Sequence, residues 1–244
     1  MTKSVLITGA TRGLGRGLAC EFAGRGYRVA LTGRSMADLE SLEQELPARA
    51  EKVVLRTLDV TDFDSVPPVL QDCAEALGGI DIVVANAGVA IAGRAGEGNF
   101  NQMHRTIEVN LTGAIATSEA ALELFRQQGG GQLVGITSVA ALRGFPRQSA
   151  YSATKAGFSR YLEAVRCETL HEPVQVTELA PGYIDTDINR GMKSRPFLVS
   201  AEKGTRIMVD LIERQVNFRY VPPWPWTLVA QALKVLPLSL LRRM

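Results

Sequence analysis

Val5-Leu6-Ile7-Thr8-Gly9-Ala10-Thr11-Arg12-Gly13-Leu14-Gly15-Arg16-Gly17 is an apolar, strand-like run that breaks into glycines and opens a helix-length segment. The order matters more than the letters. Glycines let the backbone turn tightly and let a pyrophosphate come close, while the free amides and dipole of a helix N-terminus favour its negative charge. The spacing is GxxxGxG rather than GxGxxG, and glycines at a strand-to-helix turn also have a purely structural use. With the strand before and the helix after, the stretch predicts dinucleotide binding through Gly9, Thr11, Arg12, Gly13, Leu14 and Gly15.

Further apolar runs follow at Val29-Leu31, Val53-Leu55, Ile82-Ala85, Leu133-Ile136, Val174-Leu179 and Val216-Val221, with helix-length segments between them. That alternation is the sequence form of right-handed βαβ units. It predicts a single doubly wound α/β domain, a seven-stranded parallel sheet with helices on both faces. Ser35 precedes a helix over Ala37-Leu46, and Asp62 precedes one running to Leu77, stopped by Gly78-Gly79. The catalytic domain is expected over 1–221, with 222–244 as an amphipathic extension of it.

The 244 residues are 46% hydrophobic and 21% charged, the ordinary balance of a soluble globular chain, and a formal charge of +2 gives no support to nucleic-acid binding. Cys20, Cys73 and Cys167 are odd in number and far apart, which indicates neither a disulfide framework nor a thiolate metal site. His104 and His171 lack ligand-like neighbours, and no metal is expected. The first strand begins by Ser4, leaving no room for a signal peptide, and no run of about 18 residues is free of Pro, charge or strong polarity. The expected location is cytoplasmic.

At the end of the second strand, where an acid would hold the 2′-hydroxyl of NAD, stand Gly33 and Arg34. Arg34 and Arg12 together suit a 2′-phosphate, so NADP (NADPH) is the expected cofactor; taken singly, either arginine reads as a solvated loop residue. Asp59-Val60 follows the third strand, where a carboxylate can accept from an adenine amino group and the next amide can meet a ring nitrogen, or where Asp59 serves as a turn residue. Asn86-Ala87-Gly88 ends the fourth strand at the carboxyl edge, where ligands sit in open α/β sheets.

Tyr151-Ser152-Ala153-Thr154-Lys155 puts a phenol and an ammonium one helical turn apart on one face. A free tyrosine titrates at about 10, and an ammonium about 4 Å away favours phenolate by about 4 kcal/mol at an effective dielectric near 20. The pair therefore predicts proton transfer near neutrality, although an isolated YxxxK is usually no more than a solvated helix face.

With the glycine loop, Asn86-Ala87-Gly88, Asn110, Ser138, Tyr151-x-x-x-Lys155 and Pro181-Gly182-Tyr183-Ile184-Asp185-Thr186 in order, the chain resembles the short-chain dehydrogenases/reductases of roughly 250 residues, over about residues 4–190. The resemblance implies a Rossmann-like fold and an oxidoreductase acting on a carbonyl or secondary alcohol. It implies that Tyr151 exchanges the proton, Lys155 lowers its pKa and bonds the nicotinamide ribose, and Ser138 holds the reacting oxygen. Asn110 would hold a water linking Lys155 to solvent, and Ile184 and Thr186, after Pro181 and Gly182, would fix the nicotinamide carboxamide. It also implies a homodimer or homotetramer paired through the helices of Asn110 and Tyr151. Departures are small: one Asn rather than two before Ala87-Gly88, and Thr137 rather than Ser before Ser138.

Beyond the last strand come Pro222-Pro223-Trp224-Pro225-Trp226 and an apolar segment to Leu236. At roughly 100° per residue, Thr227, Gln231 and Lys234 share a narrow polar arc, and Trp226, Val229, Leu233, Val235 and Leu236 cover most of the rest. With Leu238, Leu240 and Leu241 before Arg242-Arg243, this helix suits packing on its own domain, a partner subunit, a lid or a membrane surface. Residues 187–199, with Met192, Phe197, Leu198 and Val199, form a partly apolar loop, so the expected substrate is hydrophobic: a lipid, acyl chain, retinoid or steroid-like molecule. Two other functions compete. A sugar-nucleotide epimerase or dehydratase uses the same pair but needs more chain, and an NADP-binding regulatory or membrane-peripheral module has no use for Ser138, Tyr151, Lys155 and Asn110.

Overall fold

A computed structural model describes residues 2–191 and 194–242 of the protein. Its strands are β1 (Ser4–Ile7), β2 (Arg28–Gly33), β3 (Lys52–Thr57), β4 (Ile82–Ala85), β5 (Gly131–Ile136), β6 (Val174–Pro181) and β7 (Phe218–Val221), all parallel in the order β3-β2-β1-β4-β5-β6-β7. The central strands read as unbroken apolar runs because both of their faces are covered. Leu6, Ala30, Val83, Leu133 and Val176 feed one core layer, while Val5, Ile7, Val29, Leu31, Val84 and Leu179 feed the other. The period of two along each strand thus supplies two cores at once.

The helices are α1 (Gly13–Gly24), α2 (Met36–Glu45), α3 (Val66–Leu77), α4 (Phe100–Ile107), α5 (Gly113–Gln128), α6 (Ser149–Glu168), α7 (Ala201–Glu213), α8 (Pro223–Val235) and α9 (Leu238–Leu241). Leu70, Leu122, Phe125, Phe158 and Leu162 from α3, α5 and α6 fill the first layer; Leu18, Phe22, Leu39, Met208 and Ile212 from α1, α2 and α7 fill the second. Ser35 caps α2 by accepting from the Asp38 N–H at 3.2 Å, as expected of a serine at that position. Asp62 differs from expectation: its side chain caps nothing, and a 3-10 turn (Phe63–Ser65) leads into α3, whose first turn holds Pro67-Pro68. Gly78 ends α3 in the left-handed region. β7 begins at Phe218 rather than Val216, because the Val216 N–H is still bonded to Leu211 O at 3.4 Å in the turn that closes α7.

The C-terminal segment forms a helix, but only part of its apolar surface turns inward. Trp226, Ala230 and Leu233, spaced i, i+4, i+7, are buried, the first two on Val139, Ala180 and Tyr220. The indole of Trp226 lies against Gly182, where an added Cβ would meet the ring at 2.0 Å. The Arg143 guanidinium donates to the carbonyls of Leu233 (2.7 Å), Lys234 (3.2 Å) and Leu236 (3.1 Å), capping the end where the helix dipole is negative. Val235, expected on the apolar face, points to solvent, and Leu236 is half-buried. Among the described residues no helix is long and apolar enough to cross a membrane. Met192 and Arg243 lie outside the described residues.

Candidate active site at the carboxyl edge of the sheet

Parallel strands deliver all their C-terminal ends to one edge, and the strand order reverses between β1 and β4, which opens a crevice there. The glycine loop leaves β1 and lies against the end of β4. Gly9 has φ +65°, and a Cβ on it would stand 2.9 Å from Ala87 Cα. A Cβ on Gly15 would meet Gly9 O at 2.1 Å and Asn86 Nδ2 at 2.6 Å, so only glycine fits without moving the loop. Thr8, to which the sequence reading gave no role, ties the two segments: its hydroxyl accepts from the amides of Asn86 (3.1 Å) and Ala87 (3.2 Å). The Asn86 carboxamide donates in turn to Thr8 O (2.9 Å) and Gly9 O (3.2 Å), so its nitrogen braces the loop.

Several features fit a pyrophosphate. The first bond within α1 runs from the Arg16 N–H to Arg12 O at 3.3 Å, so the amides of Gly13, Leu14 and Gly15 precede it. No side chain caps this end and no acid occupies its first turn. Leu14 packs into the core layer below and the Thr11 methyl packs over Gly33, which aims the loop at the crevice.

Arg12 and Arg34 are exposed, and neither pairs with a carboxylate among the described residues. Asp59 is less free than its position suggested. Its Oδ1 accepts from the Thr61 N–H (3.0 Å) and hydroxyl (2.8 Å), and its Oδ2 from Arg105 (3.1 Å). Burial opposes its ionisation, but the Thr61 donors and the Arg105 charge outweigh it and hold the carboxyl below its usual range. Val60 is buried against Gly113.

Ser138 follows β5, and its hydroxyl accepts from the Ala140 N–H at 3.1 Å to start a 3-10 turn. Tyr151 and Lys155 rise from the first two turns of α6. Lys155 is buried, donates to Ile136 O at 2.8 Å as its one partner among the described residues, and holds its ammonium 5.9 Å from the centre of the Tyr151 ring. Gly88 stands close: a Cβ there would be 3.4 Å from Asn110 Oδ1 and 3.9 Å from Lys155 Nζ. Asn110 sits in a π-helical turn (Glu108–Thr112) between α4 and α5, and its carboxamide pairs with both backbone groups of Val89, accepting at 2.8 Å and donating at 2.7 Å.

The electrostatics differ from the expectation that Lys155 lowers the phenol. Burial pushes Tyr151 upward, with only Ser138 pulling the other way, and burial also pushes the Lys155 ammonium down to about 8. Lys155 is buried and Tyr151 partly so, and for each the loss of hydration outweighs what it gains from its neighbours. The phenol is therefore held in its acid form.

Pro181 ends β6 by pairing with Val221; beyond it Ile184 bridges to Val199, and the Thr186 hydroxyl donates to Ile184 O at 3.2 Å. Thr186 also faces the glycine loop, its methyl 3.8 Å from where a Gly13 Cβ would be. Asn189, not singled out in the sequence, is buried; it donates to Ile184 O at 2.7 Å while its Oδ1 has no partner among the described residues. Isolated polar letters in a loop gave no signal for it. No group of three or more His, Cys, Asp or Glu side chains gathers among the described residues.

The comparisons with known proteins agree with one another. The family model for short chain dehydrogenase matches residues 3–196. An uncharacterized oxidoreductase of Mycobacterium tuberculosis (strain ATCC 25618 / H37Rv) is 39% identical over 244 residues, covering 99% of this chain and 96% of that one. The sulfoacetaldehyde reductase of Chromohalobacter salexigens is 34% identical over 229 residues, 91% of this chain and 90% of its own. Among solved structures, an alcohol dehydrogenase from the archaeon Thermococcus sibiricus, complexed with 5-hydroxy-NADP, superposes with a TM-score of 0.81 at 30% identity, over 91% of this chain and 95% of that one. Fold, edge geometry and relatives converge: the chain belongs to the short-chain dehydrogenase/reductase family of oxidoreductases.

Proposed function

We propose that the protein transfers a hydride between NADP(H) and a carbonyl or secondary alcohol on a hydrophobic molecule. The observation that carries this reading is the convergence of Ser138, Tyr151 and Lys155 beside a glycine loop whose helix N-terminus is left uncapped. When bound, the nicotinamide supplies the hydride for reduction or takes it in oxidation. Tyr151, kept protonated by burial, donates to the carbonyl oxygen, and the Ser138 hydroxyl steadies that oxygen by a hydrogen bond. Lys155 has donors to spare for a ribose hydroxyl, and a water held at the Asn110 turn returns its proton from solvent. Ile184, Thr186 and the preceding Pro181-Gly182 would position the carboxamide, and Asp59 and Val60 the adenine. Exposed Ile188, Phe197 and Leu198 in the loop after β6 support a hydrophobic substrate. A homodimer or homotetramer paired through the helices of Asn110 and Tyr151 belongs to the same reading.

The test is NADPH consumption across a panel of hydrophobic ketones, aldehydes and quinones. Turnover of at least one class above the rate without protein is expected, and a blank panel in both directions would overturn the assignment. Cofactor choice is tested separately. Arg34 replaces the acid that would serve NAD, and a bidentate, charge-assisted contact to phosphate is worth about 1.5–3 kcal/mol. Arg34→Ala is expected to weaken NADPH binding by about 10- to 100-fold and to leave NADH within about threefold. Matched losses would contradict a phosphate contact.

A further inference from the structure

The outer face of α8 carries a second apolar stripe. Leu228, Ala232 and Val235 are spaced i, i+4, i+7 on the side opposite buried Trp226, Ala230 and Leu233, and Thr227, Gln231 and Lys234 run between the two stripes. Leu228 is 59% exposed and Val235 81%; Trp224, extended at the kink in the first turn of α8, and Leu238 after the helix are each 72% exposed. Because the inner stripe already docks α8 on the domain and Arg143 fixes its end, the outer stripe is not needed to hold the helix in place. A lone helix of this composition would bury such residues at the first opportunity.

Along the sequence, the charge on either side of the stripe is of one sign. From Arg214 to the end of the sequence there is no Asp or Glu, while Arg214, Arg219, Lys234, Arg242 and Arg243 are all basic, in a chain whose formal net charge is only +2. A protein partner for a convex, narrow stripe would have to supply both an apolar groove and acids. An anionic lipid surface supplies apolar depth and negative headgroups together, and a tryptophan at one end suits the headgroup level. We propose that the outer face of α8, with Trp224 and Leu238, is a membrane-surface site that lays the protein on anionic lipid. Since Trp226 on the inner face meets Tyr183 at 5.8 Å and Phe197 at 6.0 Å, the lipid-facing helix is built directly onto the loop after β6. The site does not depend on which reaction the crevice performs.

The experiment is flotation of the full chain with vesicles of phosphatidylcholine, alone or mixed with phosphatidylglycerol, alongside the solution mass of each variant. Native protein is expected to float only with the mixed vesicles and to be released by high salt. Leu228→Glu/Val235→Glu is expected to lower partitioning at least tenfold, and Lys234→Glu/Arg242→Glu by about tenfold or more. Both pairs are exposed, so unchanged melting is expected; Trp224→Ala, at the extended kink, gives an independent reduction if the double glutamate melts early. Flotation of the glutamate variants equal to native would overturn the proposal. So would native protein that ignores both vesicle types while Leu228→Glu/Val235→Glu lowers its oligomeric mass, a result that makes the stripe a seam between copies. Partitioning is read without turnover, so an inactive crevice leaves the test intact.

Discussion

Tyr151→Phe is expected to lower kcat for carbonyl reduction by about a thousandfold while leaving NADPH affinity within about twofold. The substitution removes one oxygen and keeps the ring that packs at the start of α6. A positioned general acid contributes about 10²- to 10⁴-fold, and among the described residues no other group at this point replaces it: the Ser138 hydroxyl can hydrogen-bond the oxygen but is far too weak an acid to protonate it, and Lys155 is drawn to Ile136 O. Burial holds the phenol above its ordinary value, so the acid form required for reduction is complete at neutral pH and reduction shows no loss there from phenol ionisation. Alcohol oxidation needs the phenolate, and its rate rises with pH toward that elevated pKa; the rise disappears in the phenylalanine variant. Stopped-flow hydride transfer with any carbonyl accepted by the native protein checks both statements. Equal rates for the two proteins would remove Tyr151 from the chemistry.

Much of the fold was legible because its signals are local or periodic. Val5-Leu6-Ile7 is apolar at every position because helices cover both faces of β1, and the glycines after it are forced by contacts as close as Gly15 against Gly9 O. Ser35 and Gly78 mark helix ends by their own chemistry. The illegible parts depend on distant partners or on one extra residue in a turn. Nothing near Asp59 in sequence announces Arg105, 46 residues away, which holds one of its oxygens. The π-helical turn that aims Asn110 at Val89 leaves no periodic trace over so few residues. The amphipathic pattern of α8 identified a helix with a polar arc, but choosing its inward stripe needed Gly182, which receives the Trp226 ring, and Arg143, which caps the far end. The direction of the Tyr151 shift was also hidden, because spacing places the ammonium near the phenol but says nothing about how far each is desolvated.

That lost hydration gives Lys155→Met opposite effects on stability and activity. Burial lowers the lysine from 10.5 to about 8, so the folded state binds fewer protons than the unfolded chain between those values. Holding the ammonium costs the fold about 3 kcal/mol at any pH below about 8, and the cost fades as pH rises through the window toward 10.5. Methionine has a similar length and no charge; it loses the bond to Ile136 O, worth about 1 kcal/mol. The net gain of about 2 kcal/mol is expected to raise the melting temperature at pH 7 by about 4–8 °C, with the gap closing near pH 10. Turnover is expected to fall at least about a hundredfold in the same variant, since the proposed proton path behind Tyr151 and the proposed ribose contact would both go. Differential scanning fluorimetry without nucleotide reads the first effect and NADPH consumption the second. A variant that melts lower than native at pH 7 would mean that the ammonium stabilises the fold. A buried cation kept against its own desolvation is what a site selected for function rather than stability contains, and the pH at which the gap closes measures that opposition.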